Sequence, residues 1–326
     1  MTLNPNSGIG RAVMGRFMGL GTLGRIFLVV PNTHPNYSDI QSIFAPDGTY
    51  GDVILFPDPA SAYANTVSGR GDIIVVAPGT YTLSSMLTIT NSGVKFVALD
   101  YLMGEMPIRS QQAVITFAGT SGSSNIATLL INTVNGFGSF GIKWMNSSTI
   151  AQSTNVVLTE GSTGIYFESS AIMPTGSSSV FGSTSGCSLA ESSESSIYKN
   201  CLIGTNSTAN TVANTVIYLP ASGGVPEHRA EFTNCIVETF TTSTSGSFVK
   251  QPNLANVYQN IEFNNTRFLA NRTGASAAAP ANGIIGVTAS TANGDILLTN
   301  CQFGNVTAIH GASVNVYADA ATGILA

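Results

Sequence analysis

Cysteine is the residue whose placement in this 326-residue sequence first suggests chemistry, because three of the four cysteines directly follow an asparagine. Cys201 lies in "IYKNCLIG", Cys235 in "EFTNCIVE" and Cys301 in "LLTNCQFG". A zinc site, a disulfide pair, a catalytic thiol and a structural repeat all remain open for this pattern.

Metal binding is the first of these to test. Structural zinc sites use closely spaced pairs of Cys or His, and the four cysteines show neither CxxC spacing nor a paired His. The three histidines, His34, His228 and His310, are far apart and suggest no Ser/His/Asp arrangement. We therefore expect no metal site, no cofactor and no nucleophilic catalysis.

Acidic residues offer a second route to chemistry, because glycoside hydrolysis needs paired carboxylates. No Asp occurs between Asp100 and Asp295, but Glu231 and Glu262 each stand three residues before an Asn. On adjacent strands the two would lie about 5 Å apart, which suits a retaining carboxylate pair. Charge balance with His228 and Arg229 is the structural alternative for these acids.

Two short motifs have structural explanations that we prefer. "GLGTLG" at 19–24 matches GxGxxG, but a dinucleotide site needs a strand before the glycines, and here the strand "RIFLVV" follows them. "RGD" at 70–72 resembles an integrin ligand, although Gly71 can simply turn the chain and Asp72 open the first strand.

Composition limits the class of protein. Hydrophobic residues make up 43% and charged residues only 9% of the chain, and the formal net charge is −5. With four Lys and eight Arg there is no basic stripe for nucleic acid, and no apolar run is long enough to cross a membrane. A surface of hydroxyls and amides is typical of β-rich, solenoid-like or virion proteins.

The Asn-Cys motif recurs at a nearly fixed period. Asn200, Asn234, Asn265 and Asn300 are separated by 34, 31 and 35 residues. Apolar residues stand two before and three after each Asn, and weaker copies lie at Trp144/Asn146 and Tyr166/Glu168. The residues that follow the four Asn are Cys201, Cys235, Thr266 and Cys301. Such a period is the mark of a solenoid.

The repeat also predicts a local geometry. The apolar residue before each Asn and the small residue after it can both face inward only if the chain bends between them. Asn tolerates a left-handed backbone, so we place it at a corner between two short strands, with an Asn ladder that satisfies buried corner carbonyls. Because Thr266 replaces Cys in one repeat, we expect free buried thiols, in keeping with a reducing cytoplasm.

The segment "GDIIVVAPGTYTL…LTI…GVKFVAL" resembles the first coil of the pectin-lyase-like β-helix superfamily, over roughly residues 52–318. The resemblance implies an all-β, right-handed parallel β-helix capped by a helix at Pro59–Val67. We divide the chain into an extended N-terminal arm (1–30), a small preamble with the capping helix (31–71) and a β-helix with a C-terminal cap (72–326). The Ser-rich stretch 176–196 is predicted to form elongated loops.

The segment "RIFLVVPNTHPNYSDIQSIFAPDGTYGDVILF" resembles the preamble of β-helical structural proteins of tailed bacteriophages. This implies a non-enzymatic homotrimer, assembled in the host cytoplasm, that decorates the capsid exterior and binds the major capsid protein. The alternative is a tailspike-like protein that binds or cleaves host-surface polysaccharide. The candidate capsid contacts lie in the arm: Arg11, Met14, Arg16, Phe17, Met18, Leu20 and Arg25.

Overall fold

The fold is given by a computed structural model. It describes residues 24–35, 37–38, 49–50, 53–103, 110–117, 126–147, 154–175, 187–205, 215–220, 229–252, 259–270, 279–288 and 294–325.

The described strands, numbered along the chain, form three sheets of twelve, nine and eight strands. Sheet A contains β1 (Ile26–Val29), β2 (Thr49–Tyr50), β3 (Val53–Phe56), β4 (Ile73–Val76), β7 (Lys95–Ala98), β10 (Asn135–Phe140), β13 (Thr163–Glu168), β16 (Ser196–Lys199), β19 (Ala230–Thr233), β22 (Ile261–Asn264), β25 (Ile296–Thr299) and β28 (Val316–Ala318). Sheet B contains β5 (Gly79–Leu83), β8 (Ala113–Phe117), β11 (Lys143–Asn146), β14 (Ala171–Pro174), β17 (Leu202–Gly204), β20 (Ile236–Thr239), β23 (Arg267–Ala270), β26 (Gln302–Gly304) and β29 (Gly323–Leu325). Sheet C contains β6 (Leu87–Ile89), β9 (Ile126–Asn132), β12 (Thr154–Glu160), β15 (Leu189–Ala190), β18 (Thr215–Tyr218), β21 (Ser247–Lys250), β24 (Asn282–Ile285) and β27 (Ala308–His310).

The chain passes from sheet A to sheet B to sheet C and back to sheet A, so each circuit is one coil of a parallel β-helix. The described strands form eight coils that have one strand in each of the three sheets. A further partial coil follows, with β28 in sheet A and β29 in sheet B. Each strand of these coils pairs in parallel with its counterparts in the preceding and following coils, and the antiparallel pair is β2 with β3. The predicted all-β parallel solenoid is confirmed.

The N-terminal end is built onto sheet A, where β1 lies between β3 and β4. Helix α1 spans Pro59–Ala64, with Pro59 in its first turn and the side chain of Asp58 accepting from the Ser61 amide (2.8 Å). The missing N–H of Pro costs nothing at this position, and the Asp satisfies an orphan donor. The helix thus starts as predicted and ends three residues before Val67.

The core lies inside the coils and is organised in ring stacks. Inward residues of sheet A place Phe167, Tyr198, Phe232 and Phe263 on successive coils, with centroid separations of 5.2, 4.6 and 4.6 Å. These rings are fully buried, and their stacking holds neighbouring coils in register.

Each of the four repeated Asn lies at the corner between sheet A and sheet B. Asn200, Asn234, Asn265 and Asn300 have φ values of 54°, 54°, 51° and 51°, in the left-handed region that Asn tolerates. The corner amide bonds to the next coil, as in Asn200 N–H to Thr233 O and Asn234 N–H to Asn264 O, both 2.9 Å.

The Asn side chains lie at the surface or half-buried, and the side-chain bond between them joins Asn300 Nδ2 to Asn265 Oδ1 (2.6 Å). The buried corner carbonyls accept instead from the residue after each Asn. Cys235 Sγ, for example, lies 3.3 Å from Tyr198 O of the preceding coil, and Thr266 Oγ1 lies 3.2 Å from Phe232 O. Cys, Thr and Ser are therefore interchangeable here because each is a small inward donor.

The upstream copies of the repeat fall elsewhere than the sequence predicts. Glu168 pairs with Lys199, the residue before the corner Asn200, so the corner of the coil that contains Glu168 is Ser169 (φ 50°). The corner of the coil before it is Gly141 (φ 69°). Asn146 ends the sheet B strand β11 and is not a corner residue. Because these corners are Gly and Ser, the repeat of Asn residues does not identify the two coils.

Helix α2 (Leu99–Met103) interrupts the second coil and covers the outer face of sheet A near the N-terminal end. Leu102 packs there with the outward residues Ile73, Val75, Val97 and Phe140 in a second apolar cluster, separate from the core inside the coils. Sheet A is thus buried on both faces in its first coils and open to solvent on its outer face further along the chain.

Candidate functional site

Sheet A presents one column of outward side chains, here called the outer column, which begins beside the apolar cluster under α2 and continues over the open part of the sheet. Its members occupy equivalent positions on six consecutive strands: Tyr166, Ile197, Glu231, Glu262, Leu297 and Tyr317. Five steps at a strand spacing of about 4.8 Å give a straight row of about 24 Å.

Strand periodicity explains why this column faces outward. In β16, β19 and β22 the residues alternate between buried and more accessible positions, and the buried ones carry the stacked rings. Side chains alternate between the two faces of a strand, so the residues next to the buried rings, which form the outer column, point away from the core. Ile197 is 37% exposed and Tyr317 is 54% exposed, so the column offers apolar surface to solvent.

The two sequence-predicted acids lie in the middle of the outer column. Glu231 and Glu262 are direct partners on β19 and β22, and Thr233 Oγ1 donates to Glu231 Oε1 at 2.7 Å. In the described part of the chain neither carboxylate forms an ion pair with a Lys or Arg. Like charges directly opposite one another destabilise a sheet, so this pair is kept at an energetic cost.

The neighbouring outward column is polar and carries its own ion pair. Lys199 Nζ lies 3.6 Å from Glu168 Oε1, and the Tyr166 hydroxyl donates to Glu168 Oε2 at 2.9 Å. Burial and the adjacent carboxylate raise the pKa of Tyr166, so it stays a neutral donor. Thr233 and Asn264 extend this column beside the acid pair.

The two acids of the outer column occupy similar settings. Glycoside hydrolysis requires two carboxyl groups with different roles, set by different environments. Glu231 and Glu262 are both half-buried and occupy equivalent positions, and among the described hydrogen bonds the Thr233 hydroxyl distinguishes Glu231 from Glu262. Within the described ranges, no group of three or more His, Cys, Asp or Glu could hold a metal ion.

The cysteines have no reactive arrangement. Cys187, Cys201, Cys235 and Cys301 are free and buried, which confirms the prediction of free thiols. Burial raises the pKa of Cys301 to about 11, so this thiol stays protonated and serves as a donor.

The RGD aspartate is structural. Asp72 is fully buried and accepts from Arg70 Nε (2.6 Å), Arg70 Nη2 (2.7 Å), Arg25 N (2.9 Å) and Val67 N (2.8 Å). Gly71 beside it has a φ of 79°, so it turns the chain as expected. A carboxylate held in this way cannot be presented to a receptor.

Six of the seven candidate capsid contacts lie outside the described residues. Arg11, Met14, Arg16, Phe17, Met18 and Leu20 lie outside the described residues, as do Gly19–Leu23 of the GxGxxG match. Arg25 is exposed and precedes β1, and its carbonyl accepts from Ile73 N (2.9 Å). The capsid-contact role of all seven residues stays a prediction.

Sequence reasoning missed one acid, Glu191, which falls in the stretch predicted to form elongated loops. From Cys187 to Ser193 every side chain is buried, so this part of the stretch belongs to the interior. Glu191 Oε1 accepts from Thr159 Oγ1 (3.1 Å), Ser193 N (2.9 Å) and Ser196 Oγ (3.0 Å). The sequence does contain a signal for this contact: Glu191 and Thr159 are 32 residues apart, which is about one coil length and places them on adjacent coils.

No protein-family model matches the chain, and no curated protein is similar to it in sequence. Solved structures do resemble it. A pectin methylesterase variant in complex with a hexasaccharide has 15% identity and a TM-score of 0.50, over 91% of this chain and 80% of that one. The pectin methylesterase from Aspergillus niger in deglycosylated form has 13% identity and a TM-score of 0.51, over 93% and 83%. At these identities the similarity shows the fold, a parallel β-helix.

Among the described residues, no helix is long and apolar enough to span a membrane.

Proposed function

We propose that this chain binds a polysaccharide along the outer column of sheet A. The observation that carries the proposal is the row of Tyr166, Ile197, Glu231, Glu262, Leu297 and Tyr317. Tyr166 at one end is half-buried, Tyr317 at the other is exposed, and the two acids in the middle form no ion pair within the described ranges.

A sugar chain matches this surface chemically. Exposed aromatic and aliphatic groups cover the apolar faces of sugar rings, while carboxylates accept hydrogen bonds from sugar hydroxyls. In the described part of the chain, Thr233 uses one oxygen of Glu231, and the other oxygens of Glu231 and Glu262 can accept from a sugar. A row of about 24 Å has room for several sugar units in an extended chain.

The complex of one fold relative supports the proposal. One of them was determined with a bound hexasaccharide, so a parallel β-helix of comparable length can hold an oligosaccharide. The equivalent settings of Glu231 and Glu262 favour binding over cleavage.

Affinity electrophoresis through gels containing a neutral glucan, an amino-bearing glycan or a polyuronate would test the proposal. We expect at least one polymer to retard the protein. Replacing both acids, Glu231→Gln with Glu262→Gln, should weaken that binding at least tenfold, because hydrogen bonds to charged groups contribute about 1.5–3 kcal/mol each. Glu160→Gln, at an exposed site at the end of β12, is the matched control.

Two results would contradict the proposal: no retardation by any polymer, or equal retardation of the double variant and the control. A reducing-sugar assay on the same polymers separates binding from cleavage. Sugar release by the wild type that is lost in the double variant would assign catalysis to the acid pair.

A capsid decoration protein, active as a homotrimer, is the second candidate. It is favoured by exposed apolar residues near the last coil, Val314 (44%), Tyr317 (54%) and Ile324 (46%), a surface suited to protein contacts. Free buried thiols fit assembly in a reducing compartment. Analytical ultracentrifugation should then show a trimer, and deleting residues 1–24 should leave a folded protein that no longer co-sediments with capsids. A monomer, or full capsid occupancy after the deletion, would contradict this candidate.

A further inference from the structure

The core contains one fully buried carboxyl group that the proposed binding surface does not use. Glu191 follows β15 and lies in the turn that leads to β16, with no exposed surface. Its Oε1 atom accepts the three hydrogen bonds from Thr159, Ser193 and Ser196, and its Oε2 atom contacts the Tyr198 hydroxyl. The carboxyl therefore joins β12, the turn and β16.

The described polar contacts of the Glu191 carboxyl are with hydrogen-bond donors. Tyr198 is the titratable side chain in contact with it, and Cys201, which directly precedes β17, interacts electrostatically with Tyr198. The charged residues of the adjacent segments, Glu160 after Thr159 and Glu194 in the turn, are also acids and reach the surface. In the described part of the chain, no Lys, Arg or His forms an ion pair with Glu191.

Burial and hydrogen bonding act on this carboxyl in opposite directions. Burial raises the pKa of Glu191, donation from Tyr198, Ser193, Ser196 and Thr159 lowers it, and burial prevails. Burial also raises the pKa of Tyr198, and the neighbouring carboxyl raises it further. Two acids in contact thus hold their protons more tightly than either would in water.

We infer that Glu191 and Tyr198 form a proton-dependent lock in the core, which tightens the coil around β15 and β16 as the pH falls. When the carboxyl is protonated, Oε2 and the Tyr198 oxygen are joined by a hydrogen bond between neutral groups. When the proton leaves, a charge remains in the interior of the coils, and its described hydrogen-bond donors are neutral. Opening of the coil then hydrates the charge, so deprotonation favours the open state.

The sign of the pH dependence follows from the raised pKa. The closed state binds the proton more tightly than the open state, in which a Glu side chain titrates near pH 4.3. Stability from the protonated carboxyl is complete below that value and is lost as the pH rises through the pKa of the closed state. Between the two values, the opening equilibrium constant should rise about tenfold per pH unit.

Hydrogen exchange at the Ser192 and Ser193 amides, expressed as protection factors from pH 4 to pH 8, tests the lock. In the wild type we expect protection to fall about tenfold per pH unit over part of this range. In Glu191→Gln, which mimics the neutral carboxyl, protection should not depend on pH. Glu160→Gln is the matched control and should behave as the wild type does.

A second measurement covers the case in which Glu191→Gln does not fold. The infrared band of a protonated carboxyl should persist in the wild type above pH 5. In the control Glu160→Gln, the band should disappear at the same pH as in the wild type. In Tyr198→Phe, which keeps the carboxyl but removes the donor that lowers its pKa, the band should disappear at a higher pH. Protection that is independent of pH in the wild type, or a protonated band absent above pH 5, would overturn the inference.

Discussion

Replacement of a corner asparagine by alanine and by glycine separates backbone strain from side-chain bonding. Asn234 is the informative position, because its φ is 54° and its exposed side chain has no hydrogen-bond partner among the described residues. If Asn is present for its backbone, Asn234→Gly should be more stable than Asn234→Ala. This order is the reverse of that in ordinary strands, where glycine is the weaker residue.

The size of the difference follows from two opposing terms. A left-handed backbone costs alanine roughly 1–2 kcal/mol, and glycine adopts it without strain. Glycine loses about 0.4–1 kcal/mol through the greater freedom of the unfolded chain. We therefore expect Asn234→Gly to exceed Asn234→Ala in stability by about 0.5–1 kcal/mol.

Thr299 provides the matched control, since it is exposed and lies in a regular strand, β25. Here Thr299→Gly should be less stable than Thr299→Ala by about 0.5–1 kcal/mol. The measurement is the midpoint of urea unfolding at a common slope, with hydrogen exchange around β19 and β20 to detect partial unfolding of the repeat array.

Refutation is direct. If Asn234→Gly is as unstable as Asn234→Ala, or more so, the corner conformation does not explain the asparagine. Asn265 extends the test, because its Oδ1 atom accepts from Asn300 Nδ2 at 2.6 Å. Asn265→Gly should cost about 0.5–1.5 kcal/mol more than Asn234→Gly, the contribution of one hydrogen bond.

Two further predictions concern buried polar contacts. Thr266→Val removes the hydroxyl that donates to Phe232 O (3.2 Å) and should lower the free energy of unfolding by about 1–3 kcal/mol. Thr266→Cys should lower it less, because a thiol fills this position in three other coils. Urea unfolding compares the two variants, and equal losses would contradict a donor role. Burial raises the pKa of Asp72, but donation from Arg70 and two amides outweighs it and the pKa is lowered, so its stabilisation is present above about pH 4 and lost as the pH falls through the lowered value. Asp72→Asn should therefore cost about 3 kcal/mol at pH 7 and show a smaller loss of stability between pH 4 and pH 2 than the wild type, whereas parallel acid-unfolding curves would contradict this.

The part of the fold that the sequence predicts well is the part where one residue type recurs. Asn200, Asn234, Asn265 and Asn300 identify four coils because a left-handed backbone selects Asn among side-chain-bearing residues. The inward apolar positions then follow from strand alternation. Glu231 and Glu262 could be placed side by side for the same reason, since both are counted from a corner.

Elements without that constraint were missed. Gly141 also allows the corner conformation, so the sequence carries no Asn there. Helix α2 interrupts the second coil and breaks the period. Glu191 was overlooked because its stabilising donors come from Thr159 and Ser196, residues that composition alone would assign to a loop. The direction in which the coils wind, right-handed by prediction, is likewise not fixed by these residue patterns.

The corner hydrogen bonds have a consequence for how the molecule is made. The amide of Asn200 donates to Thr233 O, that of Asn234 to Asn264 O and that of Asn265 to Thr299 O, so each corner bonds to the coil that follows it in the chain. During synthesis each corner amide emerges before its acceptor, which the following coil supplies. We expect the rod to grow in one direction, from its N-terminal end, with each addition completing the coil before it.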